Sequence, residues 1–189
     1  TMRYHPIVKK LKEDNHCPLA FTYHVGNYLP EWHPYEDYKT KYFAKKATGG
    51  AREIVPYETN WMTWLWGPAE CMSSEYFKLS NLQIDASDYY RFSLGFDADV
   101  IGSILIDLLS SPRTRALRLI YEGKHEDIDM GAVNWETMYL EEMETFIRAI
   151  KGGKYPYSVQ EDLWNLKLLS EIEFGNILNP DYGKNDENV

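Results

Sequence analysis

The chain has 189 residues, a net charge of −9, fifteen Tyr, seven Phe, six Trp and two Cys. At about 100–200 residues per domain this is one domain, or one with a short appendage, and an acidic chain without grouped Lys and Arg argues against a nucleic-acid partner. Two cysteines are too few for a disulfide framework and point to reduced thiols in a cytoplasmic protein, and no apolar run approaches the roughly 18 residues that a membrane span needs.

The opening Thr1-Met-Arg-Tyr-His-Pro6 lacks the apolar stretch of a signal peptide and reads as a chain entered midway. Pro6 then starts a short helix to residue 14, with Ile7, Val8 and Leu11 on one side. Residues 19–26 alternate and read as a strand. A polar, aromatic loop follows to about Tyr38. Gly49-Gly50 opens a helical stretch that Gly67-Pro68 ends, with Trp61, Trp64 and Leu65 at helical spacing. The period then changes to two. Residues 69–79, 88–97, 100–109 and 115–121 read as strands, and a short one is expected near 128–133. With no helix between them, they are expected to form an antiparallel meander. Residues 137–151 return to helix, with Met143, Phe146, Ile147 and Ile150 opposite Glu141, Glu142 and Glu144. Gly152-Gly153 ends it, and Ser158 with Glu161 makes a capping box for a last helix carrying Leu163, Leu166 and Leu169. The Asp/Asn-rich tail 179–189 is expected to fray.

The fold class is therefore α+β, an open, mainly antiparallel sheet with helices packed on one face. Strand 100–109 is apolar on both faces, so its second face should also be covered, most simply by another copy of the chain.

Spacing removes several chemistries. No two glycines stand two apart, so there is no G-x-G-x-x-G dinucleotide loop, and neither a P-loop nor a G-x-S-x-G elbow is present. The five histidines contain no i, i+4 pair and the cysteines stand alone, so no metal site is expected. A nucleotide cofactor would have to be held elsewhere.

Two segments carry candidate chemistry. Residues 26–38 crowd Tyr28, Trp32, His33, Tyr35 and Tyr38 into one loop. Such rigid aromatics could wall a ligand pocket, with Trp32 and the tyrosines stacking a sugar and His33 transferring a proton. They could equally pack an Ω-type loop with its own side chains. In residues 49–60 a glycine pair opens a helix near Arg52, Glu53, Tyr57 and Glu58, where Tyr57 or Glu58 could face a pocket. A solvated amphipathic helix fits the same spacing. Arg113 and Arg115 could bind an anion, although strand-edge arginines usually lie at the surface; His24 and Cys71 read as structural.

In order, Met2-Arg-Tyr-His-Pro6, Gly26-x-Tyr-Leu-Pro-x-Trp-His-Pro34, Glu36-Asp-Tyr38, Gly49-Gly50, Trp64-Leu-Trp-Gly67, Tyr139–Ile150 and the helix from Ser158 resemble one family. It is the C-terminal domain of the Gfo/Idh/MocA oxidoreductases, in the polysaccharide and amino-sugar branch. The resemblance implies the end of an interdomain junction over 1–15 and a substrate-binding and oligomerisation domain over 16–178, ahead of the fraying tail. It implies NAD or NADP in the full-length protein, on a Rossmann domain missing here, with none bound by this fragment alone. Further implications are hydride transfer to or from a sugar, nucleotide sugar or cyclitol, and a homodimer or tetramer through the sheet face.

The family's helical Asp and His fall on Ile54 and Glu58. The expected catalytic residues are then Glu58, Tyr57 and His33, and the expected substrate contacts Tyr28, Trp32, His33, Tyr35, Tyr38 and Arg52. The loss of the Asp–His pair keeps an alternative open: a non-catalytic sugar-binding or assembly module with a degenerate site.

Overall fold

The computed structural model describes residues 1–14 and 17–175. The expected fraying tail lies outside the described residues. These form six strands and five α-helices joined by short 3-10 turns. The strands are β1 (Ala20–Gly26), β2 (Ala69–Phe77), β3 (Tyr89–Phe96), β4 (Ile101–Asp107), β5 (Thr114–Tyr121) and β6 (Lys124–Asp129). The helices are α1 (Pro6–Asp14), α2 (Leu29–Trp32), α3 (Val55–Trp66), α4 (Trp135–Ile150) and α5 (Val159–Phe174). The class is the expected α+β, with α3 and α5 on one face of an open sheet.

Alternation builds that face. Phe21, Tyr23 and Val25 of β1, Phe92, Leu94 and Phe96 of β3, Ile104 and Ile106 of β4, and Leu117 and Leu119 of β5 all point inward. Trp61, Met62 and Trp66 of α3 and Leu168, Leu169 and Ile172 of α5 cover them. Phe21 lies 4.6 Å from the Trp66 ring and 5.9 Å from Phe96, and Tyr23 meets Trp61 edge-on at 5.5 Å. Each such pair adds about 0.5–1.5 kcal/mol beyond the area it buries. Gly102 makes room for this cluster, since a Cβ there would come within 2.3 Å of the Phe21 ring.

The strand order is β2-β3-β4-β1-β5-β6, which corrects the expected meander. The hairpins β2–β3–β4 and β5–β6 are antiparallel as read, but β1 enters between β4 and β5, parallel to β4. The reason lies at the end of β4. The Asp107 side chain accepts from the Leu109 and Ser110 N–H groups at 2.8 Å and turns the chain aside. The Asn27 and Leu29 N–H groups then bond the Asp107 and Leu108 carbonyls, so β1 continues the sheet where a β4–β5 hairpin would have closed it. The last strand is also earlier than expected, 124–129 rather than 128–133. It is a charged edge strand, Lys-His-Glu-Asp-Ile-Asp, without the apolar alternation that reveals buried strands. Its register follows from the tight turn at Gly123 (φ 74°), which pairs Tyr121 with Lys124.

Helix boundaries follow local chemistry. Gly67 (φ 85°) ends α3 with its N–H on the Thr63 carbonyl, and the capping box at Ser158 and Glu161 starts α5. The stretch after Gly49 begins as a 3-10 turn, Gly50–Ile54, before α3. Gly50 has a φ of 76° and would bring a Cβ within 2.3 Å of the Ser87 carbonyl oxygen, so only glycine fits there. The stripe Tyr139, Met143, Phe146 and Ile150 of α4 is exposed. Phe146 meets the Tyr155 ring edge-on at 6.4 Å, and the amphipathic spacing is the one expected.

Buried carboxylates tie down two loops. Asp88 is fully buried and accepts from the Leu79 and Ser80 N–H groups, the Ser80 hydroxyl and Lys78. Burial pushes its pKa up, but these donors outweigh burial and hold it below the ordinary value. Asp107 is held low in the same way, by His24 at 2.6 Å, Leu109 and Ser110. A depressed folded pKa contributes stability above the unfolded value of about 3.9, lost as pH falls through the folded value. Thermal unfolding followed from about pH 7 to about pH 2 should therefore show a loss that steepens below about pH 4. Asp88→Asn should lower the unfolding temperature at neutral pH and flatten that acid slope; an unchanged slope would show that Asp88 does not contribute.

Candidate active site

A cavity of about 420 Å³ opens where β1 ends and β5 begins. Its walls are Asn27 after β1, Trp32 and His33 at the end of α2, Tyr42, and Glu53, Ile54, Tyr57 and Glu58 at the start of α3. Arg113, Arg115, Trp135 and Tyr139 close it, with Met2 at its floor. Two larger hollows, of about 990 and 810 Å³, lie between the N-terminal turn, α3, α4 and α5, and on the open sheet face. The smaller cavity gathers the predicted chemistry.

Strand and helix periodicity place these groups. Arg113, exposed just before β5, and Arg115, buried within it, both line the cavity, and both guanidinium groups lie near the Trp135 ring, at 5.4 and 5.1 Å. Trp135 begins α4 because the Asn134 side chain accepts from the Glu136 and Thr137 N–H groups and caps the helix. Trp32 stacks on His33 at 5.3 Å and lies 6.3 Å from Phe43.

Glu58 is locked. It is 1% exposed; one oxygen accepts from Arg115 at 2.8 Å and the other from the Tyr23 hydroxyl at 2.8 Å and the Trp61 indole N–H at 3.0 Å. Burial and the Glu58 charge both push the Tyr23 hydroxyl pKa well up, so Tyr23 stays a donor. Burial disfavours the Arg115 cation, but Glu58 and Tyr23 outweigh it and raise its pKa. Both Glu58 oxygens are thus engaged within the cluster.

Glu53 differs. One oxygen accepts from the Tyr42 hydroxyl, while Oε2 is buried with no hydrogen-bond partner. The Glu53 hydrogen bond, with burial, pushes the Tyr42 pKa up to about 12, so Tyr42 remains protonated and donating. Arg115 Nε is also buried with no partner. A buried polar group without a partner costs about 1–3 kcal/mol, so these groups call for a ligand or water.

The predicted residues divide. Trp32, His33, Tyr57 and Glu58 line the cavity. Tyr28 and Tyr38 do not: Tyr28 precedes α2, and Tyr38 packs against the core. Tyr35 is 80% exposed, although its hydroxyl bonds His33 Nδ1 at 3.1 Å. Arg52 pairs with Glu173 of α5, its Nε and one Nη donating to the two carboxylate oxygens. The residues sequence reasoning passed over are Asn27, Tyr42, Trp135 and Tyr139, and it set Arg113 and Arg115 aside as surface groups. Only Asn134, a helix cap before Trp135, offered a local signal for any of them.

The fold and cavity define an open α+β sheet domain with a polar, aromatic pocket at one end of its central strands. Solved structures with this fold are Gfo/Idh/MocA-type oxidoreductases. GenD2 from gentamicin A biosynthesis, in complex with NAD, superposes with a TM-score of 0.73 at 14% identity, over 92% of this chain and 59% of its own. Myo-inositol 2-dehydrogenase from Lactobacillus plantarum gives 0.71 at 14%, over 92% and 61%. The WlbA dehydrogenase from Bordetella pertussis, in complex with NADH and UDP-GlcNAcA, gives 0.67 at 18%, over 89% and 56%. No family model matches the sequence, and no curated protein matches it. At these identities the likeness shows the fold, that of the C-terminal domain of these oxidoreductases. The chain spans about three fifths of the length of the first structure named.

The chain has no glycine phosphate loop, and its sheet has one parallel pair, β1–β4, rather than a doubly wound parallel core. No helix of the described residues is long and apolar enough to cross a membrane, and they hold no cluster of metal-ligating side chains.

Proposed function

We propose that this chain is the substrate-binding domain of an NAD(P)-dependent oxidoreductase acting on a hydroxyl of a sugar, nucleotide sugar or cyclitol. The dinucleotide would be held by a Rossmann domain outside this chain. The observation that carries the reading is the cavity itself: aromatic walls with unmatched donors and acceptors, in the fold of structures solved with NAD or NADH. Hydroxyls of a polyol satisfy such groups, and the rings of Trp32 and Trp135 offer stacking surfaces. Within this chain, Glu53 is the group we assign to the reacting hydroxyl's proton, with Tyr42 orienting it. Tyr57 and His33 are secondary contacts, and Glu58 holds the wall in place.

Two bare surfaces support the proposed partners. The exposed stripe of α4 fits the missing Rossmann domain, since each structure named is longer than this chain by a large fraction. The open sheet face, with Ile101 half exposed among small residues such as Ser93, Gly95 and Ser103, fits a second copy in a dimer or tetramer. Free thiols at Cys17 and Cys71 fit a cytoplasmic setting.

One observation favours the alternative, a non-catalytic sugar-binding or assembly module: Ile54 and the locked Glu58 occupy the positions of the family's Asp and His. Titration of the full-length protein with NAD(H) and NADP(H), followed by tryptophan fluorescence, separates the two. Saturable binding of either dinucleotide is the expected result, whereas none would leave the binding module.

A further inference from the structure

The hollow of about 990 Å³ between the N-terminal turn, α3, α4 and α5 adjoins the candidate active site. Thr1, Met2 and Tyr57 line both spaces, so the two share a rim. Two residues that line the hollow each carry a buried polar atom without a partner. Asn165 of α5 is 4% exposed; its Nδ2 donates to the Glu161 carbonyl at 2.9 Å, while its Oδ1 accepts nothing. Arg3 donates from Nε to Asn60 and from Nη1 to Glu161, both at 3.0 Å, while its Nη2 has no partner. Buried polar atoms are ordinarily hydrogen-bonded, so an unmatched acceptor and an unmatched donor on one hollow point to a ligand that supplies both. Ring surface is available beside them, since Tyr57 and Tyr155 on the walls are 63% and 41% exposed. Four carboxylates and three cationic side chains line the hollow, and Lys9 with Glu141 and Arg3 with Glu161 are ion-paired. A phosphate would therefore find no net attraction there, whereas hydroxyls, which both donate and accept, match the unpaired atoms. The hollow lies on the polar side of α4, where Glu141, Glu144, Thr145 and Arg148 fall at helical spacing. The apolar stripe of α4 runs along another side, so a domain seated on that stripe covers a different surface.

We infer that the hollow is a second subsite, for an uncharged glycosyl ring that continues past Tyr57 from the ring held at Glu53. This inference rests on the proposed substrate-binding role and narrows it to a neutral glycoside of at least two rings, ahead of a nucleotide sugar. Hydroxyls of the second ring donate to Asn165 Oδ1 and accept from Arg3 Nη2, and its apolar face stacks on Tyr57 or Tyr155.

Calorimetric titration of the full-length protein with D-glucose, maltose, cellobiose and UDP-glucose tests it. One of the two disaccharides should bind on the order of ten- to a hundredfold more tightly than glucose, and more tightly than UDP-glucose. Asn165→Leu and Tyr155→Ala should each bring the disaccharide-to-glucose affinity ratio toward one, with the affinity for glucose itself unchanged. Circular dichroism checks that both variants are folded, and the change at the half-exposed Tyr155 carries the test if Asn165→Leu is not. Equal affinities for glucose and both disaccharides, or a ratio unaltered in the folded variants, would overturn the second subsite and leave sugar binding intact. Tighter binding of UDP-glucose than of either disaccharide would overturn the neutral glycoside in favour of a nucleotide sugar. Failure of all four to bind would overturn the subsite and the substrate-binding role together.

Discussion

Glu58→Gln is expected to destabilise the fold by about 3–5 kcal/mol, read as a fall in the urea midpoint at unchanged slope. The glutamine keeps the shape but removes the charge opposite Arg115, whose guanidinium is buried between Tyr23, Met2 and Trp135. It also exchanges an acceptor for a donor beside the Tyr23 hydroxyl and the Trp61 indole, both of which donate to the same oxygen. The cost arises from stranding the partner, so removing both charges should be gentler. The double variant Glu58→Leu with Arg115→Leu should lose less than the two single changes added together. If Glu58→Gln instead kept full stability and abolished turnover, Glu58 would be the catalytic group that the family resemblance implies, and its role as a wall support would be wrong.

Glu53→Gln is expected to do the opposite. In the full-length protein, turnover of the true substrate should fall by about 10²–10⁴-fold, the usual cost of losing a general acid–base group. Stability should change by no more than about 1 kcal/mol, because Glu53 makes one hydrogen bond to a partly exposed tyrosine. Tyr42→Phe should reduce turnover less, since it removes the orienting donor and keeps the carboxylate. Wild-type turnover in Glu53→Gln would remove Glu53 from the chemistry. In the proposed reading Glu58 supports the wall, while Glu53 has one oxygen without a partner.

Much of the fold was legible because local rules act on neighbouring residues. The alternation of 88–97 and 115–121 placed the inner faces of β3 and β5, Gly67-Pro68 stopped α3, and Ser158-x-x-Glu161 started α5. Each depends on backbone sterics or a cap within one turn. The site was half legible. Aromatic density pointed to Trp32 and His33, and the glycine pair pointed to the turn before α3. Density did not say which rings face inward. Tyr35 lies largely in solvent, Tyr38 packs against the core, and Tyr28 precedes α2 outside the cavity lining.

The sequence alone thus determined the class, the helix ends, the lack of a dinucleotide loop in this chain and the likeness of its motifs to sugar oxidoreductases. All of these are short-range properties or comparisons of motifs. Tertiary structure decided the rest. The insertion of β1 between β4 and β5 brings Asn27, Glu58 and Arg115 to one end of the sheet from positions as much as 88 residues apart. Which arginine is neutralised, and which carboxylate stays free, depends on long-range pairs such as Tyr23–Glu58 and Glu58–Arg115. No spacing rule encodes such pairs, because burial and partner choice are set only when distant strands meet.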